Sequence, residues 1–197
     1  RDYSIASLPA AGVLELLVRQ ERLSDGRLGL CSGWLTTGLA LGGSLRASLR
    51  SNPAFRVPEE DEPLILIGNG SGLAGLRGLL QARVALGRQR NWLLFGERNR
   101  EHDFFLREEL EGYLADGHLQ RLDLAFSRDQ AQKVYVQDRL REARGELLRW
   151  LEQGAVLAVC GSLKGMAAGV DEALLELLGR EGLEQLQDSG RYRRDVY

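Results

Sequence analysis

Three glycines at alternate positions form the segment of this sequence that is best suited to hold an anion. Gly68, Gly70 and Gly72 follow four apolar residues at positions 64–67, and apolar residues then recur at helical spacing over positions 73–86. The short apolar run predicts a strand buried on both faces, and the spacing after it predicts a helix. The bare N–H groups of a glycine turn and the positive end of a helix dipole both attract a phosphate. The G-x-G-x-G spacing differs from the dinucleotide-binding and P-loop spacings, so a tight turn that only allows close packing remains the alternative.

Polar and cationic side chains also follow three further predicted strands, at positions 91–95, 119–126 and 155–160. The residues at or after the ends of these strands that could contact a ligand are Arg98, Ser127, Arg128, Lys133, Tyr135 and Cys160. Arginine and lysine form charge-assisted hydrogen bonds with phosphate oxygens. Each of these residues alone could belong to a solvated loop, but their shared position after consecutive strands favours a binding site for a nucleotide with several phosphates.

The elements that must position these residues alternate between strands and helices from residue 64 onward. The predicted helices cover residues 73–86, 104–115, 136–153, 164–180 and, as a short addition, 183–187. This alternation predicts an α/β fold with a doubly wound parallel sheet, in which ligands bind beyond the carboxyl ends of the strands. An acidic stretch bounded by prolines at residues 58–63 predicts the join between two domains, at residues 1–60 and 61–197.

The first 60 residues have a different pattern from the rest. Polar and apolar residues alternate at positions 1–7 and 13–18, which indicates strands, and positions 42–57 fit two or three short strands or turns. Small residues at positions 29–32 predict a glycine-led helix start that could form a second anion site. An ordinary N-cap formed by Ser32 is the alternative there.

Composition excludes several classes of protein. The net charge of −2 provides no basic surface for nucleic acid, and no apolar run reaches the 18 residues that a membrane span needs. Two distant cysteines and two isolated histidines predict neither a disulfide framework nor a metal site, and they indicate a cytoplasmic location. The first residue is Arg rather than Met, so we expect a piece of a longer polypeptide whose upstream part could hold a further domain or a membrane tether.

Several segments, in order along the whole chain, resemble motifs of the ferredoxin-NADP reductase family. They are Arg1-Asp2-Tyr3-Ser4, residues 29–32, residues 68–72, Gly96-Glu97-Arg98, residues 127–137, Cys160-Gly161 and Asp195-Val196-Tyr197. The nearest branch is the diflavin reductases, which include NADPH–haemoprotein reductases, sulfite reductase flavoprotein components and nitric oxide synthase reductase domains. The resemblance implies an NADP(H)-binding α/β domain preceded by the C-terminal part of an antiparallel β-barrel that binds FAD.

The resemblance implies an FAD site in the first half of the chain. Arg1 would pair with the FAD pyrophosphate, Tyr3 would pack on the isoalloxazine, and Ser4 would lie near flavin N5. The second motif would add pyrophosphate contacts from Gly29, Leu30, Cys31 and Ser32. The family's earlier barrel strands and the FMN-binding domain of diflavin enzymes do not occur in this sequence, so FMN is expected only if the parent protein carries that domain upstream.

The resemblance also implies an NADPH site in the second half. Gly70, Ser71 and Gly72 would hold the pyrophosphate, and Arg98 would contact the nucleotide phosphates. The pocket for the 2′-phosphate would consist of Ser127, Arg128, Lys133, Tyr135 and Gln137. Each charge-assisted contact contributes about 1.5–3 kcal/mol, so two or three should favour NADPH over NADH by at least about a hundredfold.

The hydride-transfer site would join the two halves. By resemblance, Cys160 lies beside the reacting nicotinamide carbon, and Asp195 joins Ser4 and Cys160 there. Tyr197 would cover the flavin face and move aside for the nicotinamide. The terminal aromatic residue is Tyr, whereas Trp is usual in diflavin reductases and Tyr in plant-type ferredoxin reductases.

The implied function is hydride transfer from NADPH to FAD, followed by electron delivery to an FMN- or flavodoxin-type domain or to a haem acceptor, as in sulfite reductase flavoproteins. Two alternatives remain at this point. The chain could be a ferredoxin- or flavodoxin-NADP reductase that acts on a separate carrier, or it could be a nucleotide-binding module without turnover.

Overall fold

A five-stranded parallel sheet forms the centre of the protein. The computed structural model describes residues 1–197. The strands are β1 (Leu64–Asn69), β2 (Asn91–Glu97), β3 (Arg121–Phe126), β4 (Val156–Gly161) and β5 (Tyr192–Val196). Their order in the sheet is β3-β2-β1-β4-β5, and every neighbouring pair is parallel. The predicted doubly wound α/β fold is therefore confirmed.

Helices cover both faces of this sheet. The α-helices are α1 (Leu30–Gly33), α2 (Leu73–Ala85), α3 (Arg100–Asp103), α4 (Arg107–Ala115), α5 (Val136–Glu142), α6 (Arg144–Glu152) and α7 (Ala168–Asp188). Ile65 and Ile67 pack with side chains of α5, α6 and α7, whereas Leu64 and Leu66 pack with side chains of α2 and α4. Successive side chains of a strand point to opposite faces, which is why the continuous apolar run of β1 fits a sheet covered on both sides.

The helix boundaries differ from the predictions where the backbone leaves the helical region. Leu106 has a φ of 56°, so the helix predicted from residue 104 begins one residue after it. The helix predicted over residues 136–153 is two helices, since Ala143 separates α5 from α6. In α7, Gly179 has a φ of 72°, and this break lies close to the predicted gap between two helices.

The fifth strand, β5, was not predicted. Its sequence, Tyr-Arg-Arg-Asp-Val, carries three charged residues and lacks the apolar run that marks the three inner strands β1, β2 and β4. It lies at an edge of the sheet, where a strand is only partly covered and charged side chains are common. The apolar pattern used for the inner strands therefore could not identify it.

The strands predicted in the first 60 residues are reduced to two isolated antiparallel bridges, Ile5 with Leu16 and Arg22 with Leu28. No strand forms over residues 42–57, so of the two possibilities expected there, short strands or turns, only turns occur. A two-stranded ribbon is marginally stable in water without further partners, which accounts for the short pairing. The division into domains at residues 1–60 and 61–197 stays a prediction.

A buried arginine ties the first residues to the sheet domain. Arg77 of α2 forms ion pairs with Glu15 and Glu109, and its side chain is only 13% exposed. It also donates a hydrogen bond to the carbonyl oxygen of Ala6 at 2.7 Å. This network fixes the N-terminal residues beside the rim of the sheet. None of the helices combines the length and the apolar character that a membrane crossing requires.

Candidate active site

Ser4, Cys160 and Asp195 meet at the carboxyl end of the sheet. Parallel pairing of β4 and β5 makes Cys160 and Asp195 register partners, so their side chains lie side by side. The Ser4 hydroxyl donates a hydrogen bond to Asp195 Oδ2 at 2.8 Å, and Cys160 Sγ lies 3.7 Å from the same oxygen. Asn52 donates a hydrogen bond to Asp195 Oδ1 at 3.2 Å. The Asp195 carboxylate thus contacts Ser4 and Asn52 from the first 60 residues and Cys160 from the neighbouring strand.

Cys160 carries a neutral thiol in this position. Burial raises the pKa of the Cys160 thiol to about 12, and the nearby Asp195 charge contributes in the same direction. A thiol with this pKa stays protonated at neutral pH, so it is neither a nucleophile nor a thiolate metal ligand. It can contribute only packing and a weak S–H donor at this point.

Close packing explains two of the glycines in the predicted phosphate turn. A Cβ atom on Gly68 or Gly72 would lie only 2.4 or 2.2 Å from the carbonyl oxygen of Cys160. Gly70 has a φ of 57°, a conformation that favours glycine. The packing interpretation of this turn therefore holds for Gly68 and Gly72, and that packing is what brings the start of α2 against Cys160.

Tyr197 lies across this turn. Its hydroxyl is 3.1 Å from Ser71 Oγ, and 58% of the residue is exposed. Its backbone N–H donates to the carbonyl oxygen of Gly161, and its own carbonyl accepts from the N–H of Leu163. The backbone of Tyr197 is therefore fixed, while its ring is held by a single hydroxyl contact.

A cleft of about 570 Å³ opens beside this cluster, at the ends of β1, β2 and β3. Four residues predicted to bind NADPH line it: Arg98, Ser127, Tyr135 and Gln137. Arg128 and Lys133 do not line the cleft and are exposed beyond it. The side chains of Arg98, Arg128 and Lys133 form no hydrogen bond or ion pair within the chain, so their charges are available to an anionic ligand.

The residues predicted to bind FAD contact one another and Glu21. Arg1 is paired with Glu21, and the Oγ atom of the buried Ser32 accepts a hydrogen bond from the Glu21 N–H at 3.0 Å. The Tyr3 hydroxyl is buried and has no hydrogen-bond partner. Burial, followed by contact with Cys31, raises the pKa of the Tyr3 hydroxyl.

The second motif offers little free polar surface. Gly29 and Leu30 begin α1, which is only four residues long, and Leu30 is almost fully exposed. A Cβ atom on Gly29 would meet Ser32 Oγ at 2.8 Å, so this glycine allows the close approach of the two residues. The observed role of Ser32 is thus a contact with the Glu21 backbone rather than the simple helix N-cap considered from the sequence.

Several residues at the site were given no role by the sequence analysis. Asn52 reaches Asp195, Asn69 accepts a hydrogen bond from the Ser162 N–H at 3.1 Å, and Arg19 forms an ion pair with Glu97 inside the cleft. Each contact joins residues more than 75 positions apart. Asn69 and Glu97 lie within segments that resemble family motifs, residues 68–72 and 96–98, but the sequence assigned neither of them a role.

Comparison with known proteins agrees with this geometry. Residues 66–172 match the family described as "Oxidoreductase NAD-binding domain". Over 214 aligned residues the chain is 39% identical to the "Sulfite reductase [NADPH] flavoprotein alpha-component" of Mannheimia succiniciproducens and 41% identical to that of Yersinia enterocolitica. Both alignments cover 100% of this chain and 36% of the relative, so the chain spans about a third of the length of the relatives it matches.

Proposed function

The chain belongs to the oxidoreductase NAD-binding domain family, and from this premise we propose that it is the FAD- and NADPH-binding part of an NADPH-dependent flavoprotein reductase. The ferredoxin-NADP reductase resemblance and the curated relatives point to the same activity. The observation that carries the proposal is the contact of Ser4 with Asp195 beside Cys160, at the carboxyl end of the sheet whose other strand ends form a cleft lined by the unpaired Arg98. This arrangement joins a candidate hydride-transfer site to a candidate nucleotide site.

NADPH would be held mainly by the loops after β1, β2 and β3. Ser71 and the glycine turn would face the pyrophosphate together with Arg98, whose guanidinium has no partner within the chain. Ser127, Tyr135 and Gln137 line the cleft where the 2′-phosphate and adenine would bind, and Arg128 and Lys133 would approach from its exposed edge. Unpaired cations at the edge of a polar cleft fit a ligand that carries several phosphates.

FAD would be held by the N-terminal residues, and one buried atom supports this fit. The Tyr3 hydroxyl has no partner in the protein, and a buried polar group of this kind is costly unless a ligand or water satisfies it. Arg1 is paired with Glu21, so its guanidinium would have to leave Glu21 before it could bind the FAD pyrophosphate. Gly29, Leu30, Cys31 and Ser32 would complete the contact around α1.

When bound, FAD and NADPH supply the hydride chemistry, and the protein supplies placement. Asp195 holds the Ser4 hydroxyl at 2.8 Å, which fixes both groups on one side of the site. Burial keeps the Cys160 thiol protonated, so Cys160 packs against the site without adding a charge to it. The Tyr197 ring covers the site through one hydroxyl contact with Ser71, and its displacement would open the site to the nicotinamide.

The electron acceptor is inferred from the relatives. Because they are named as flavoprotein components of sulfite reductase, we propose delivery to an FMN- or flavodoxin-type domain and onward to a haem protein. A separate ferredoxin or flavodoxin carrier is the competing acceptor. Both cysteines are free, which supports a cytoplasmic location for the parent protein.

Replacement of Asp195 tests the hydride-transfer site. Asp195→Asn keeps the shape of the side chain but removes the charge that holds Ser4 and adjoins Cys160. We expect the rate of flavin reduction by NADPH, measured by stopped-flow absorbance on FAD-loaded protein, to fall about a hundredfold. Ser4→Ala should show a smaller loss, while NADP⁺ affinity stays near that of the wild type. Reduction at the wild-type rate in both variants would show that these residues have no role in the reaction.

A further inference from the structure

Asn52 contacts the Asp195 carboxylate from a segment that contains none of the sequence motifs. Its side-chain amide donates a hydrogen bond to Asp195 Oδ1 at 3.2 Å. The other carboxylate oxygen, Oδ2, accepts a hydrogen bond from Ser4 at 2.8 Å and lies 3.7 Å from Cys160 Sγ. The two oxygens of Asp195 are therefore held by donors from two separate segments of the chain.

A β-turn places Asn52 at this position. The N–H of Phe55 donates a hydrogen bond to the carbonyl oxygen of Asn52 at 3.1 Å, so residues 52–55 close a four-residue turn. Asparagine is favoured at the first position of such a turn, and proline is favoured at the second, which Pro53 occupies. The sequence Asn-Pro-Ala-Phe thus fixes the backbone from which the Asn52 side chain extends.

Phe55 anchors this turn beside the same site. Its side chain packs against the core between α2 and the sheet. A Cβ atom on Gly75 of α2 would lie 3.1 Å from Cys160 Sγ, 3.3 Å from the Phe55 ring and 3.5 Å from Ser4 Cβ. The three side chains therefore meet over this glycine, and the anchored Phe55 keeps Asn52 within reach of Asp195.

A carboxylate with only one fixed oxygen can still rotate. The terminal torsion of an aspartate side chain has a broad, two-fold preference, so a single hydrogen bond leaves the plane of the carboxylate poorly defined. The Asn52 amide on Oδ1 defines that plane and keeps Oδ2 toward Ser4 and Cys160. Because an amide is neutral, this contact leaves the negative charge of the carboxylate in place.

Building on the function proposed above, we propose that Asn52 is a positioning residue for hydride transfer, which orients the Asp195 carboxylate toward Ser4 and Cys160 without neutralising it. Asn52 acts through Asp195 and makes no contact of its own with the nucleotide. Its loss should therefore slow the reaction without weakening the binding of NADPH. The site would then depend on the turn at residues 52–55 as well as on the three residues that the motifs indicate.

Two substitutions that preserve the turn separate this role from a role in turn formation. Serine and aspartate are both favoured at the first turn position, but Asn52→Ser shortens the side chain and Asn52→Asp places a second carboxylate against Asp195. In FAD-loaded protein mixed with saturating NADPH, stopped-flow absorbance should show flavin reduction slowed about threefold to tenfold by Asn52→Ser and more by Asn52→Asp. The NADPH concentration that gives half the maximal rate should stay unchanged in both variants.

Ser51→Ala is the matched control for these measurements. Ser51 is the exposed neighbour of Asn52, and its hydroxyl forms no hydrogen bond within the chain. This variant should reduce flavin at the wild-type rate. Wild-type rates in both Asn52 variants would overturn the proposal, and so would a raised half-saturating NADPH concentration with an unchanged maximal rate, because that pattern indicates a binding role.

Thermal unfolding of the chain without FAD tests the contact itself. Asn52→Asp should lower the melting temperature by about 2–4 °C, because two carboxylates then face each other. In an Asp195→Ala background the same substitution should have no effect, since its partner is absent. An equal fall in both backgrounds would show that Asn52 does not act on Asp195, and the proposal would be wrong.

The two experiments distinguish the failure of this proposal from the failure of the proposed function. If NADPH does not reduce flavin in the wild-type protein, the proposed function is wrong and the role of Asn52 in the reaction falls with it. If the wild type is reduced and the Asn52 variants match it, only the role of Asn52 is wrong.

Discussion

Residues 61–197 and residues 1–60 are organised in different ways, although both contribute to the candidate site. Ala6 is the only buried hydrophobic residue in the first 60, whereas every other member of the core lies from Leu64 onward. The sheet domain orders its side chains by packing on two faces. The N-terminal residues are ordered by two isolated bridges, by polar contacts with the sheet domain and by the packing of three partly buried side chains, Leu17, Phe55 and Val57, against its core.

Several of these polar contacts lie beside the candidate site, whereas Arg88, which precedes β2, contacts the carbonyl oxygens of Pro58 and Glu59. Ser4 and Asn52 contact Asp195, Arg19 contacts Glu97, and Arg77 contacts Glu15. The difference between the two regions teaches that the site is built asymmetrically. Residues 61–197, the packed region, position the backbone turns and the buried groups of the site. Residues 1–60, the open region, add individual side chains that are each held by one or two partners.

The two cysteines allow the sharpest comparison of the regions. Cys160 is buried in β4 with a pKa of about 12, and Cys31 lies partly exposed in α1. At pH 8 we expect iodoacetamide to modify Cys31 and to modify Cys160 about a thousandfold more slowly, because so little of the buried thiol is ionised. Peptide mass spectrometry over a time course measures both rates in one sample. Similar rates would show that the packed region opens readily at β4.

The same thiol should make the free energy of unfolding depend on pH. The pKa of Cys160 is raised from an ordinary value of about 8.5, so between that pH and about 12 the native state retains a proton that the unfolded state has lost. The free energy of unfolding should therefore fall as pH rises through this window. Cys160→Ala should remove this part of the slope, while Cys31→Ala should leave it in place.

Arg77 tests how strongly the two regions are joined. Its side chain is 13% exposed and pairs with two carboxylates, so Arg77→Met should leave both carboxylates without their partner. We expect a loss of about 2 kcal/mol, reduced from the cost of a fully buried pair because Glu15 is half exposed. For a chain of this size the melting temperature should fall by about 4–8 °C in a thermal unfolding experiment.

The control for Arg77 is an ion pair of the same type on the surface. Arg56 and Glu59 are both largely exposed, and Arg56→Met should change the free energy of unfolding by less than about 1 kcal/mol. If the two variants are equally stable, the Arg77 network does not anchor the N-terminal residues. Their attachment would then depend on the site contacts and on the packing of Leu17, Phe55 and Val57 against the core.

The packed region was also the region that the sequence made predictable. Strands β1, β2 and β4 are continuous apolar runs between turn residues, so composition alone located them to within two residues at each end. Strand β5 was not predicted, because a sheet edge tolerates its charged residues and it therefore lacks an apolar run. The break in the helix at Leu106 was not predicted, because no sequence pattern indicates a leucine with a left-handed backbone conformation.

The site divides in the same way. Ser4, Cys160 and Asp195 came from motif resemblance, and the structure brings them together through the pairing of β4 with β5. Glu97 lies in a segment that resembles a family motif, but its pairing with Arg19 could not be predicted, because an ion pair between distant residues depends on the folded path of the chain. A lone charged residue in a list of 54 such residues is not informative until its partner is known.

The smallest effect is expected at the 2′-phosphate, which only the packed region would contact. Arg128→Ala should weaken 2′,5′-ADP by about tenfold in calorimetry and leave 5′-ADP unchanged, because one charge-assisted contact to the 2′-phosphate is lost. Arg107→Ala is the matched control, since this exposed arginine pairs with Glu111 on α4. Equal weakening of both ligands by Arg128→Ala would place its effect outside the 2′-phosphate.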